Sequence, residues 1–181
     1  MGKLTLIPYC KINGEWTLPD DLLRFAWAKM VEEDSAKTVF CDGRVKDADS
    51  FIAACQSPDV QTHMMFRTDN GDIAAMGWLN NFAGNYAQCH WVCFKCIWGR
   101  TSNEAISSSL KHWFSLALDG KPLFDVILGI YPADNECIDL FAKRNGFTVI
   151  GTIPNLLYNY WEGRKIGAVF SYIERSKIWD S

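Results

Sequence analysis

The first third of the chain contains one extended apolar segment followed by two segments with helical spacing. Residues 3–8 predict a strand. Between Leu22 and Met30 apolar residues recur at intervals of three and four, which predicts an amphipathic helix. A second helix is predicted from Asp47 or Asp49 to Cys55. This part therefore predicts a strand followed by two helices.

Three extended apolar segments follow in the middle of the chain. They span residues 62–68, 73–79 and about 86–98. The first two are joined across Asn70-Gly71, a dipeptide that is typical of tight β-hairpin turns. We expect an antiparallel meander of three strands.

The next segment alternates helix and strand. Thr101 followed three residues later by Glu104 matches a capping box, and a helical apolar stripe continues behind it to Leu118. A strand over residues 124–130 then leads to a helix over residues 135–144. Strand, helix, strand and helix in this order predict a parallel crossover, whose second strand we expect to be covered on both faces. The expected buried residues are Val126, Ile127, Leu128, Ile138, Leu140 or Phe141, and Phe147.

The C-terminal part predicts two more strands. They span Phe147 to Ile153 and about Ala168 to Glu174, with a polar and aromatic connection between them. The sequence contains no internal repeat, low-complexity tract or linker. Residues 1–181 therefore predict a single α+β domain with the order β-α-α-β-β-β-α-β-α-β-β.

Composition and charge exclude several classes of protein. Eighteen Lys and Arg residues against 21 Asp and Glu residues give a net charge of −3, without the basic face of a nucleic-acid-binding protein. The uncharged stretch between Asp72 and Lys95 is interrupted by Asn, Gln, His and Gly, which argues against a membrane span. Seven cysteines and no secretory signal favour a reducing, cytoplasmic location.

A cluster of Cys89, His90, Cys93 and Cys96 has the residue types of a zinc site. On an extended strand, however, Cys89 and Cys93 face one way while His90 and Cys96 face the other. The same alternation separates Cys89 from His90 and argues against a nucleophilic pair. We expect buried thiols here and no metal.

Two local sequences in the second half resemble those of a known superfamily. One is Tyr131-Pro132-Ala133-Asp134-Asn135, followed by a helix, Gly146-Phe147, Gly151 and Ile153-Pro154. The other is Arg100-Thr101-Ser102-Asn103-Glu104-Ala105, at the position of a Q/R-x-x-G-x-G/A motif. Together with the order of elements, they resemble the GNAT superfamily of acetyl-CoA-dependent N-acetyltransferases. The resemblance implies a GNAT-like domain with a mixed, mostly antiparallel sheet flanked by helices.

The resemblance also implies acetyl-CoA as the co-substrate and a set of residues that bind it. A strand that delivers the chain to a helix N-terminus offers unpaired N–H groups and a favourable dipole to the pyrophosphate. The implied pyrophosphate-binding residues are Arg100, Thr101, Ser102, Asn103, Glu104 and Ala105. Cys96, Ile97 and Trp98 would offer backbone N–H groups to the thioester oxygen, and Asn135 would complete the cofactor site.

Catalytic residues are harder to place. The family commonly uses a Glu base on the strand that enters the pyrophosphate turn, but residues 86–98 contain no Asp or Glu. His90 is the titratable candidate there, and Tyr131 is a distant alternative acid. Asn103 replaces the first motif glycine, Glu104 adds a carboxylate, and Ala142 stands where the family often has a Tyr acid.

Two functions therefore remain open. The first is acetyl transfer from acetyl-CoA to a small-molecule or protein amine. The second is a GNAT-fold protein without efficient catalysis that serves as a structural or interaction component, such as part of a bacteriophage virion. The aromatic residues Tyr158, Tyr160 and Trp161 would favour a protein partner or a homo-oligomer.

Overall fold

A computed structural model describes residues 3–179, and for Arg100 it describes the backbone only. The strands are β1 (Leu4–Tyr9), β2 (Lys11–Ile12), β3 (Glu15–Trp16), β4 (Gln61–Arg67), β5 (Ile73–Ala83), β6 (Tyr86–Cys93), β7 (Ala117–Leu118), β8 (Lys121–Pro122), β9 (Val126–Pro132), β10 (Thr148–Asn159) and β11 (Arg164–Glu174). The helices are α1 (Asp20–Glu32), α2 (Ala36–Val39), α3 (Ala48–Cys55), α4 (Arg100–Ser115), α5 (Glu136–Arg144) and α6 (Ser176–Trp179).

The main sheet has the strand order β1-β4-β5-β6-β9-β11-β10 within residues 3–179. Strands β6 and β9 are parallel, and the other neighbouring pairs are antiparallel. This arrangement confirms the predicted mixed, mostly antiparallel α+β sheet. The parallel pair lies in the middle of the sheet, and its strands are parallel because α4 crosses from the end of β6 to the start of β9.

Helices cover the two faces of the sheet in separate groups. On one face, Leu23 and Met30 of α1 and Phe51 of α3 pack against Met64 and Met76 of the sheet. On the other face, α4 carries a second cluster that includes Ile106, Leu110, Trp113, Phe114, Ile127 and Phe147. In the part of the chain that is described, no helix is long and apolar enough to cross a membrane.

Several predicted boundaries were wrong. Strand β6 ends at Cys93 rather than at Trp98, because residues 95–97 form a short 3-10 helix. Strand β10 continues to Asn159, through much of the segment that was predicted to be a connection. The hairpin of β2 and β3 was missed, although Asn13-Gly14 at its turn carries the usual signal of two positive φ angles.

Strand β9 is fully covered on one face only, which corrects the prediction of burial on both. Ile127 and Tyr131 are buried, whereas Val126, Leu128 and Ile130 on the opposite face are half-buried. The reason is that the described contacts of α1 and α3 lie over the β4–β5–β6 half of the sheet. The other predicted core residues differ as well: Phe147 is buried, Ile138 and Phe141 are half-buried, and Leu140 is exposed.

The first testable prediction follows from this asymmetry. Ile127→Ala removes a fully buried side chain and should lower the free energy of unfolding by about 2–5 kcal/mol. Leu128→Ala, one position along the same strand, should cost clearly less because its side chain is only half-buried. Chemical unfolding of both variants measures the difference. An equal or larger loss for Leu128→Ala would contradict the described orientation of β9.

Candidate functional site

The parallel strands β6 and β9 separate halfway along their length. They are paired from Tyr86↔Val126 to Cys89↔Gly129. Within the described residues, pairing between them stops there, although β6 continues to Cys93 and β9 to Pro132. The result is a V-shaped gap, which we call the cleft, bounded by residues 90–93 and 130–132. Backbone groups along the cleft edges are available to an extended ligand.

The N-terminus of α4 follows β6 at the open end of the cleft. Its N-cap residue is Gly99, with φ of 100°, so the helix begins one residue before the Thr101 that was predicted to be the cap. Glycine is suited to this conformation and has no side chain to cap the helix. A Cβ at Gly99 would meet nothing within 4 Å. Open space therefore adjoins the residue that precedes the first turn of α4.

The first turn of α4 packs against the sheet. Thr101 and Ala105 are buried, and Ala105 packs in a cluster with Met65, Ala75 and Ile97. A small residue at position 105 allows this close packing against the sheet. Ser102 Oγ donates to the carbonyl oxygen of Gly99 at 2.6 Å, and Glu104 is exposed.

Residues 96–98 lie in the turn rather than on a cleft strand. The backbone N–H of Ile97 donates to the Phe94 carbonyl at 3.0 Å, and that of Trp98 donates to the Lys95 carbonyl at 3.2 Å. These two N–H groups therefore already have partners, and the predicted contact with a thioester oxygen would compete with them. The Cys96 thiol is exposed and contacts the Ile73 carbonyl at 3.7 Å.

Asn103, which replaces the first motif glycine, bridges α4 to α5. Its Oδ1 accepts a hydrogen bond from Asn145 Nδ2 at 3.2 Å, and the same Nδ2 also donates to the Phe141 carbonyl at 2.8 Å. Asn145 is the C-cap residue of α5. The Asn103–Asn145 hydrogen bond therefore ties the N-terminal part of α4 to the C-terminal end of α5.

Asn135 and Tyr131 position α5 at the end of β9. Asn135 is the N-cap residue of α5, and its Oδ1 accepts from the backbone N–H of Ile138 at 3.2 Å. The Tyr131 hydroxyl donates to Asp139 Oδ1 at 3.0 Å. Burial, with the neighbouring Asp139 carboxylate, raises the pKa of Tyr131 to about 12. Both side chains thus already hold the helix in place.

His90 lies on the opposite face of the sheet from Tyr131. Its ring stacks on Trp78 with centroids 5.4 Å apart, and Nε2 is 3.1 Å from Asn80 Oδ1. Because a carboxamide oxygen only accepts, Nε2 carries the proton and Nδ1 keeps its lone pair. Burial lowers the pKa of His90 to about 4, partly offset by the Asp42 carboxylate. The imidazole is therefore neutral at neutral pH and weakly basic.

A surface cavity of about 780 Å³ opens beside the end of β9. Three distant segments form its walls: residues 34–41, residues 132–137 and residues 159–164. Charged and polar groups predominate in its lining. The residues with side chains there include Asp34, Lys37, Thr38, Cys41, Asp134, Asn135, Glu136, Cys137, Asn159, Trp161, Glu162 and Arg164.

Carboxylates outnumber cations in this cavity. Arg164 donates to Asp134 at 2.6 Å and also pairs with Glu162, so its positive charge is shared between two acids. Asp34 and Glu136 add further negative charge opposite Lys37. The cavity thus favours a cationic group over an anion. Sequence reasoning missed it because no local motif links its three segments.

A buried polar pair beneath α4 was also missed. His63 on β4 and Ser109 on α4 are each 1 % exposed, and His63 Nε2 lies 2.8 Å from Ser109 Oγ. The His112 ring meets the His63 ring edge-on at 5.6 Å. Gly77 makes room for the pair, since a Cβ there would lie 2.7 Å from the His63 ring. Burial lowers the pKa of His63 to about 3.

The cysteine and histidine cluster is dispersed. Cys89 is buried and its thiol lies 3.1 Å from the Leu128 carbonyl oxygen, on the face opposite His90. Burial raises the pKa of Cys93 to about 12. Among the described residues, no group of three or more His, Cys, Asp or Glu is arranged to hold a metal ion.

Comparison with known proteins yields structural matches only. No family model and no curated protein matches this sequence. The spermidine N-acetyltransferase of Vibrio cholerae, solved with CoA and spermine, superposes with a TM-score of 0.74 at 14 % identity, over 97 % of each chain. The dodecameric structure of that enzyme in an intermediate state gives a TM-score of 0.70 at 13 % identity, over 98 % of this chain and 96 % of that one. These similarities show that the chain has the GNAT-like fold predicted from its sequence.

The second testable prediction concerns His63. Its pKa of about 3 in the folded protein lies below the unfolded value of 6.5. Its contribution to stability is therefore complete above pH 6.5 and is lost as the pH falls from that value towards about 3. Near pH 5, His63 alone should lower the free energy of unfolding by about 2 kcal/mol.

The control is His63→Gln, which cannot titrate and keeps a donor for Ser109. Urea unfolding at about pH 7.5 and about pH 5 measures the loss in each protein. The variant should lose less stability on acidification than the unmutated protein. Equal losses would show that His63 is not the group that takes up the proton.

Proposed function

We propose that this protein transfers an acetyl group from acetyl-CoA to an amine. The observation that carries the proposal is the cleft, which begins after Cys89 and Gly129 and ends at the first turn of α4. Two strand segments that do not pair with each other within the described residues, next to a helix N-terminus whose N-cap is a glycine, suit a ligand with an extended arm and a pyrophosphate. The CoA complex of a protein with the same fold supports this assignment.

The residues present fit this cofactor in part. Gly99 leaves open space before the helix, and the buried Ala105 lets α4 pack closely on the sheet. Backbone N–H groups of the first turn of α4 would hold the pyrophosphate, and the predicted role of Arg100 as a cation falls on a side chain that lies outside the described residues. The carboxylate of the exposed Glu104 would repel the negative charge of the pyrophosphate. Binding at the first turn of α4 would also require the Asn103–Asn145 hydrogen bond to open.

The chemistry requires a neutral amine and a protonated leaving group. When bound, acetyl-CoA supplies an activated acetyl thioester. A C–N bond forms to the amine nitrogen, the C–S bond breaks, and the sulfur takes up a proton. On this chain, Nδ1 of His90 is the proposed acceptor of the amine proton. Tyr131 is the proposed proton donor, although its hydroxyl is engaged by Asp139.

The acceptor amine is proposed to bind in the cavity beside β9. An ammonium group suits its excess of carboxylates, and the cavity adjoins Asn135 at the start of α5. Spermidine belongs among the first amines to be assayed, because two of the structures that superpose on this chain are of a spermidine N-acetyltransferase. The acceptor could also be a lysine side chain of a protein.

Association with partners stays a proposal. Strand β10 lies at the edge of the sheet and exposes Ile150, Ile153 and Leu156, which suits self-association. One protein of this fold is described as a dodecamer. Tyr160 and Trp161 are less suited to a partner than the sequence indicated, because both contact residues 40–43 of their own chain. Nothing in the comparisons supports a role in a bacteriophage virion.

The third testable prediction examines the cofactor directly. Calorimetric titration should detect acetyl-CoA binding, and Arg100→Ala should weaken it. Asn145→Ala and Asn103→Gly should each strengthen it by roughly 2- to 10-fold, since they remove the hydrogen bond that binding must break. Asn85→Ala is the control, because Asn85 bonds Asp125 at the paired end of β6. A protein that does not bind acetyl-CoA in any variant would favour the non-catalytic alternative.

The fourth testable prediction concerns His90. His90→Ala should reduce turnover by roughly 100-fold while acetyl-CoA affinity is unchanged. Because its pKa is about 4, the contribution of His90 should persist on acidification and disappear only near that pH. Stopped assays with saturating amine across the pH range measure this. Equal turnover with and without the imidazole would leave His90 as a packing residue stacked on Trp78.

A further inference from the structure

The tip of the β10–β11 hairpin, residues 159–164, is fastened to the segment after α2. The backbone N–H of Tyr160 donates to the Cys41 carbonyl at 2.7 Å. The indole N–H of Trp161 donates to the Phe40 carbonyl at 3.0 Å. Asn159 Oδ1 accepts from the backbone N–H groups of Trp161 and Glu162, which shapes the turn. The position of Trp161 is thus set by backbone and side-chain bonds together.

Gly43 lies against the Tyr160 ring at this tip. A Cβ at Gly43 would clash with Cγ of Tyr160, so any larger residue would displace the ring. Gly43 also has φ of 70°, in the region that favours glycine. Lys46 Nζ lies 4.1 Å from the centre of the same ring, a cation–π contact on its face.

A β-bulge in β10 precedes this hairpin tip. Register with β11 shifts between Ile153 and Leu157, where extra residues are accommodated on β10. Asn155 within this bulge has φ of 57°. A bulge bends the strand and increases its twist. The hairpin beyond it can therefore turn from the sheet edge towards residues 40–43.

With the hairpin tip held by these hydrogen bonds, Trp161 lies in the wall of the cavity beside β9. Among the described residues that line this cavity, Trp161 is the one aromatic side chain, and it remains 36 % exposed. Its indole N–H is engaged by Phe40, so the ring contributes apolar surface. Asp34 and Glu136 line the same cavity and add negative charge beyond the Asp134 and Glu162 carboxylates, which pair with Arg164. An alkyl chain that carries an ammonium group matches this combination.

We propose that Trp161 determines which acceptor amines are used, by packing against the alkyl part of the amine. This inference rests on the proposed acetyl transfer. Each methylene that the indole covers adds binding free energy, so the effect grows with chain length. A Trp161 that merely holds the tip in place would affect amines of every length equally.

The experiment compares hexylamine with ethylamine as acceptors. Trp161→Ala should raise KM for hexylamine roughly 10-fold and KM for ethylamine much less, with little change in kcat. Trp161→Phe keeps a ring but loses the bond to Phe40, and it should retain most of the preference for hexylamine. Tyr158→Ala, an exposed aromatic on the same hairpin outside the cavity lining, should leave both KM values unchanged.

A second measurement does not depend on catalysis. Saturation-transfer NMR should show contact between hexylamine and the unmutated protein, and Trp161→Ala should reduce it. Retention of this contact in Trp161→Ala would overturn the inference. An equal rise in KM for hexylamine and ethylamine would overturn it as well. Absence of acetyl-CoA binding in calorimetry would instead overturn the proposed function, so the two failures are distinguishable. Melting temperatures identify any variant that fails to fold.

Discussion

The short parallel junction between β6 and β9 is the constraint on which the rest of the structure depends. A parallel pair requires a crossover, and α4 supplies it by returning from the end of β6 to the start of β9. Since α4 follows β6 and α5 follows β9, both helices begin near the C-terminal ends of these two parallel strands. Once pairing stops at Cys89 and Gly129, the gap between the strands lies beside the first turn of α4.

The polar side chains around this gap are largely occupied by structural contacts. Asn135 caps α5, Tyr131 holds α5 through Asp139, and His90 is bonded to Asn80. A network of this kind fixes the positions of the helices before any ligand arrives. It also means that backbone N–H groups, rather than free side chains, are the readiest ligands for an anion in the cleft. Binding of an anion in the cleft would therefore depend on backbone geometry more than on residue identity, whereas the proposed proton transfers would depend on His90 and Tyr131.

The elements of the fold could be predicted from the sequence better than the details of the site. The main strands and helices have strong hydrophobic periodicity, and their order was predicted from it. Burial of β9 on both faces was not correct, because periodicity within one strand does not reveal how far a distant helix layer extends. The start of α4 was misplaced because Thr101 and Glu104 imitate a capping box, whereas Gly99 carries no side-chain signal. The cavity could not be predicted, since tertiary structure alone brings its three segments together.

Phe40 connects the cavity wall to the proposed base. Its carbonyl oxygen accepts from Trp161, while its ring stacks on Trp78 at 5.6 Å, and Trp78 in turn stacks on His90 at 5.4 Å. The rings in both stacked pairs are nearly parallel, with interplanar angles of 10°. Aromatic rings packed in this way resist independent movement. A shift of the hairpin tip would therefore change the support of the His90 ring as well as the shape of the cavity, so the proposed acceptor binding and the proposed proton transfer would depend on the same structural element.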